Sequence, residues 1–177
     1  GTPQTFDYIA NDGNLLPRPL LNQTRIRLAV AERADIVVDF SQYALGTELY
    51  LVNRLEQDDT RGPDDVQAPG KRLLKFIVDH EPPEEDVSRV PSFLRPIRRP
   101  TAAEIAAARV RNWVFARKNG MWSINDRFMN ANTARATITK GSAEIWNLNN
   151  PSGGWSHPIH IHLEEGIILN KFVDGIE

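Results

Sequence analysis

Three of the four histidines in this chain fall within six positions, in the run Trp155-Ser156-His157-Pro158-Ile159-His160-Ile161-His162-Leu163. Imidazole is the commonest protein metal ligand and suits copper, zinc and iron. Three imidazoles packed so closely would be costly to bury without partners, so a metal accounts for them better than packing does. The spacing adds a direction. On an extended strand successive side chains alternate between faces, which puts His160 and His162 on one face and His157 on the other. One short strand then offers a ligand to one metal site and two ligands to a second site behind it.

The metals differ in what else they require. The chain has no cysteine, so it supplies neither a disulfide nor a thiolate ligand. A zinc hydrolase needs three protein ligands and an open position, often with a carboxylate base nearby. Glu164 and Glu165 follow the cluster, but on a continuing strand only one of them could approach the His160/His162 face. An iron site of two histidines and a carboxylate is a further alternative. Its cupin version places a glycine six residues before the His-x-His pair, where Gly154 stands. It then needs a glutamate four or five residues beyond the second histidine, where this chain has Gly166 and Ile167. His80 stands alone and reads as an exposed or hydrogen-bonded structural histidine.

The elements that must position these residues read as strands separated by turns. Arg25–Val30 alternates polar and apolar, Ala34–Phe40 is β-branched and reads as a buried strand, and Glu48–Val52 and Leu73–Val78 follow. Asn11-Asp12-Gly13-Asn14 is a turn by composition. The acidic stretch from Glu56 to Asp65 lacks the spacing of a calcium loop and reads as solvated and mobile. From Asp79 to Pro100 five prolines break any ladder, marking a linker. Thr101-Ala102-Ala103-Glu104 then fits a capping box and predicts a short helix. Beyond it Arg111–Phe115, Met121–Ile124, Ala136–Thr139 and Ala143–Leu148 read as strands, with turns at Asn119-Gly120, Asn125-Asp126 and Lys140-Gly141. Gly166–Val173 is a further apolar run.

The expectation is therefore an all-β chain: 1–79 as part of one β-sandwich domain, 80–110 as a Pro-rich linker with a short helix, and 111–177 as the first part of a second domain. At 177 residues the chain can hold one good core or parts of two small β domains. The second domain reads as incomplete, and a first residue other than Met fits a processed or cleaved piece. A net charge of −2 gives no argument for nucleic acid or an anionic membrane. The sequence has neither an apolar run of about 20 residues nor a signal-peptide pattern at Gly1-Thr2-Pro3-Gln4.

Gly154 to Leu163 resembles the third copper motif of the multicopper oxidases, especially the bilirubin oxidase, spore-coat laccase and phenoxazinone synthase branch. Met121–Asn125 and Gly141–Asn149 look like early strands of that family's last cupredoxin domain. Asp12–Leu16 and Ala31–Ser41 look like its middle domain. The resemblance implies Greek-key cupredoxin-like sandwiches and copper as cofactor, with His157 on the type 1 copper, His160 on the type 2 and His162 on a type 3 copper. Trp155 matches a tryptophan beside the type 1 site, although packing at a strand entry would equally explain it.

The resemblance also implies what the chain lacks. The family's first-domain His-x-His motifs and its closing His-Cys-His segment are absent, and a blue copper site needs a Cys thiolate. Other segments of the same oxidase must supply those ligands, with dioxygen and a small-molecule or metal-ion reductant as partners. The activity implied is one-electron oxidation of the reductant coupled to four-electron reduction of dioxygen to water. A secreted, periplasmic or spore-coat location goes with the family. A non-catalytic copper-binding cupredoxin-like module and a mononuclear His-x-His oxygenase are the alternatives.

Overall fold

Asp12 and Gly13 take positive φ, 49° and 83°, as the tight turn of a two-residue hairpin demands. They join β1 (Phe6–Asn11) to β2 (Asn14–Gln23). The structure is a computed structural model that describes residues 2–56, 65–162 and 164–172. β3 (Ala34–Val37) pairs antiparallel with the other edge of β1, giving the order β2-β1-β3. β2 carries Pro17 and Pro19, which an edge strand tolerates because one row of its N–H groups faces away from the ladder.

β4 (Glu48–Leu55) and β5 (Val66–Ile77) form a separate antiparallel pair, with Leu51 opposite Leu74 and Leu49 opposite Phe76. The backbone N–H of Glu56 donates to Asp65 O at 2.9 Å, closing the neck of the acidic stretch. Residues 57–64, on which the mobile-loop expectation falls, lie outside the described residues.

The capping box forms as the sequence predicts. Thr101 caps α1 (Ala102–Ala107), its hydroxyl accepting from Glu104 N while the Glu104 carboxylate accepts from Thr101 N. The third sheet has the order β7-β6-β8, from β6 (Arg109–Lys118), β7 (Met121–Ile124) and β8 (Glu144–Asn149). β6 and β7 are a hairpin through Asn119-Gly120, whereas β6 and β8 run parallel. A parallel neighbour needs a long connection, which residues 125–143 provide.

Several sequence expectations are corrected. Arg25–Val30 and Ala136–Thr139 form no strand, and β3 ends at Val37 with Ile36 and Val37 each 39% exposed, so it is not a buried strand. Residues 155–162, which carry the histidines, lie outside any strand, as do 164–172. Alternation marks a side that can be buried, but a strand also needs another strand to pair with, and these segments pair with none among the described residues.

Among the described residues only Ala10, Phe115 and Ser123 are buried. The three separate sheets thus leave most apolar side chains partly in water. Phe115, on the middle strand β6, is the large apolar side chain among these three, and it lies directly under the histidine segment.

Candidate metal centre

The segment bearing the histidines is held to the third sheet at its entry. Ser152 Oγ donates to Phe115 O at 2.9 Å, and Asn150 Nδ2 donates to Trp155 O at 2.6 Å. Gly153 and Gly154 take positive φ, 60° and 90°, which reverses the chain between these two anchors.

His157 then lies over β6 and β7. Its ring centroid is 4.9 Å from that of Phe115 and 4.8 Å from that of Trp122, edge-on to the indole at 89°. Its Nδ1 is 2.8 Å from Pro158 O. A carbonyl only accepts, so Nδ1 carries the proton and Nε2 holds the free lone pair of the neutral ring. Trp155 joins this group through Trp122, the two indoles meeting edge to face at 5.9 Å. The Arg117 guanidinium lies 4.7 Å from the Trp155 ring centre and 5.3 Å from that of Trp122, within cation–π range of both.

His160 and His162 have different surroundings. Their rings lie 4.7 Å apart at 75° and line a cleft of about 490 Å³. The Asn11-Asp12 turn and Asn14 form part of the wall, and Ile159, Ile161, Glu164, Glu165 and Gly166 complete the lining. Both imidazoles are exposed. Of the three carboxylates lining the cleft, Asp12 and Glu165 but not Glu164 pair with cations among the described residues: Asp12 accepts from Arg33 N and pairs with its guanidinium at 3.2 Å, and Glu165 pairs with Arg95.

The i, i+2 spacing thus brings the His160 and His162 rings together without a strand. His157 is placed apart from them, on the aromatic floor of Phe115 and Trp122. Among the described residues no group of three or more His, Cys, Asp or Glu side chains converges as a metal site. Two convergent imidazoles are too few for a closed tetrahedral or facial site. The donor set, imidazole nitrogen alone, fits copper as a partial one. His80 is exposed, with Nδ1 2.5 Å from Asp79 Oδ1, as a structural histidine would be.

Sequence reasoning missed the floor under His157 and the wall opposite the pair. Trp122 and Phe115 sit in the apolar stretches of their strands, Met121-Trp122 and Trp113-Val114-Phe115-Ala116, a signal for packing but not for what lies on it. Arg95, 70 residues from Glu165, left no local signal.

An all-β, cupredoxin-like fold with a His-x-His pair and a separate histidine defines a copper-protein class. Residues 94–171 match the multicopper oxidase family profile. Bilirubin oxidase of Albifimbria verrucaria is 32% identical over 168 residues, covering 94% of this chain and 28% of that protein. Laccase of Bacillus subtilis is 29% identical over 171 residues, 94% of this chain and 31% of that protein. Laccase of Haloferax volcanii is 33% identical over the whole of this chain and 30% of its own length. The crystal structure of a laccase from Pediococcus acidilactici shares the fold with a TM-score of 0.59 at 22% identity, over 84% of this chain and 28% of that one. The chain belongs to the multicopper oxidase family, whose cofactor is copper. It spans about three tenths of the length of these relatives.

Proposed function

We propose that the chain contributes ligands to two copper centres of a multicopper oxidase, residues 1–79 and 111–177 being parts of successive cupredoxin-like domains joined by 80–110. The observation that carries this reading is the division of the histidines: His160 and His162 meet at 4.7 Å on one cleft, while His157 lies on Phe115 and Trp122. In this reading His157 binds the type 1 copper, His160 the type 2 and His162 a type 3 copper, with Trp155 beside the type 1 centre. The remaining histidine ligands and the Cys thiolate come from other segments of the same oxidase.

Copper, when bound, supplies one-electron acceptance from an organic or metal-ion reductant and the reduction of dioxygen to water. The protein's part is placement. Phe115 and Trp122 fix the His157 ring on an apolar floor, and the Pro158 carbonyl selects the tautomer with Nε2 free. Pro158 and Ile159 separate the single ligand from the pair. A location outside the cytoplasm, secreted, periplasmic or on a spore coat, accompanies the reading. Among the described residues no helix is long and apolar enough to cross a membrane.

The test uses the full-length protein. His157→Ala should abolish the intense blue absorption while leaving most of the copper bound, and His160→Ala should remove the type 2 paramagnetic signal while keeping the blue band. If His157→Ala changes neither colour, metal content nor oxygen uptake, a mononuclear His-x-His centre is the better reading. A wild-type protein that binds copper but consumes no oxygen with any phenolic or metal-ion reductant would be a copper-binding module instead.

A further inference from the structure

Arg95 connects three segments at the rim of the histidine cleft. Its Nε donates to Leu15 O at the start of β2, and its Nη2 donates to Glu165 Oε2 at 2.5 Å. The preceding residue adds a backbone anchor, Leu94 N donating to Pro17 O at 3.0 Å. Glu165 lines the same cleft as His160 and His162, and so do Asn11, Asp12 and Asn14 from the β1–β2 hairpin. The two acceptors that Arg95 joins therefore belong to the segment carrying the histidines and to the hairpin that faces it. The guanidinium side chain is 29% exposed, so the link lies partly under the surface.

We infer that Arg95 is a positioning residue for the His160/His162 pair, setting how the histidine segment lies against the β1–β2 hairpin through its simultaneous hold on Glu165 and Leu15. The guanidinium suits this because its donors form a rigid planar fork, so the directions to two different acceptors are fixed together. A lysine would present one compact charge on a flexible stem and could not fix that angle. The ion pair also commits the Glu165 carboxylate, as Arg33 commits that of Asp12. Each pair engages one carboxylate oxygen beside the histidines, Glu165 Oε2 and Asp12 Oδ1, while Glu164 also lines the cleft. The inference rests on the copper-ligand reading above for its consequence, and on geometry alone for the clamp itself.

The two parts are tested separately in the full-length protein with Arg95→Met, Glu165→Gln and the double variant. Hydrogen–deuterium exchange of the metal-free protein reads the clamp. Each single variant should speed exchange across 157–168 by about tenfold while β4 and β5 are unchanged, and the double should be no faster than either single, as for two halves of one interaction. Copper release, followed by loss of the type 2 paramagnetic signal, reads the consequence and should be about tenfold faster in each single, as when an outer-shell partner of a ligand is removed. Arg95→Lys should not restore wild-type release. Wild-type exchange in Arg95→Met, or single effects that add in the double, overturns the inference. A wild-type protein that holds no copper at the pair while the exchange pattern appears as expected supports the clamp and overturns the oxidase reading.

Discussion

At the scale of single residues, the third sheet is fastened by an ion pair placed where water has little access. Arg111 Nε and Nη2 donate to the two carboxylate oxygens of Glu144 at 2.7 and 2.8 Å, and Trp146 Nε1 donates to the same carboxylate at 2.8 Å. Arg111 also donates to Thr137 O at 2.8 Å, which pins a segment that forms no strand. The paired guanidinium, and after it the indole N–H, hold the Glu144 carboxyl at about 2, below its ordinary 4.5. A depressed carboxyl stabilises the folded state above its unfolded pKa, and that contribution is lost as pH falls through the folded value. The stabilisation from Glu144 is therefore complete above about pH 4.5 and declines toward pH 2. Urea titrations at a series of acid pH values should show Glu144→Gln less stable than wild type at neutral pH, with the gap narrowing across that window. A gap independent of pH would show that the carboxylate's charge is not what fastens β6 to β8.

At the scale of elements, the β4–β5 pair shows how local chemistry sets register. Its ladder shifts between Asn53 and Leu55, and opposite this shift Gly70 takes φ of 80°. A Cβ built at Gly70 would lie 2.6 Å from Asn53 O, so both conformation and space require glycine. Gly70→Ala should destabilise the pair by at least about 1–2 kcal/mol, the cost of left-handed backbone for an L-residue, before any cost of relieving the contact. Denaturant unfolding reads the loss, and the neighbouring Lys71→Ala, which leaves that backbone unstrained, is the control. A Gly70→Ala midpoint equal to that of wild type would contradict the close approach. The helix α1 draws its order from its ends, because none of its residues is buried. Glu104 accepts from Thr101 N and pairs with Arg98, which together lower its carboxyl to about 2.

At the scale of the whole molecule, the sheets expose apolar surface that a self-sufficient domain would cover. Leu51, Leu73, Leu74, Phe76 and Ile77 on β4 and β5 are 40–64% exposed, and Ile168, Leu169 and Phe172 beyond the histidines are 61–84% exposed. On β5 these residues alternate between the two faces of the pair, so apolar surface is exposed on both, as where further protein packs. The 177-residue chain expressed alone should therefore bind a hydrophobic dye strongly and melt without a sharp calorimetric transition, in contrast to the full-length protein. A sharp transition with no dye binding would mean that the three sheets pack into a core of their own.

The sequence by itself determined what short-range chemistry controls. The turn at Asp12-Gly13, the box at Thr101 and Glu104, and the shared side of His160 and His162 each depend on atoms a few residues apart. The family motif was likewise contiguous, so its recognition needed no structure. Only the tertiary structure decided which alternating runs became strands, because an apolar pattern does not reveal which segment, if any, will pair with it. Arg25–Val30 and the histidine run found none. The Trp122 ring against His157 and the Arg95 link to Glu165, 35 and 70 residues apart in the chain, were likewise decided by its path. Hydrogen-bonding and packing partners at such separations are chosen by how the whole chain closes, and no local pattern encodes that choice.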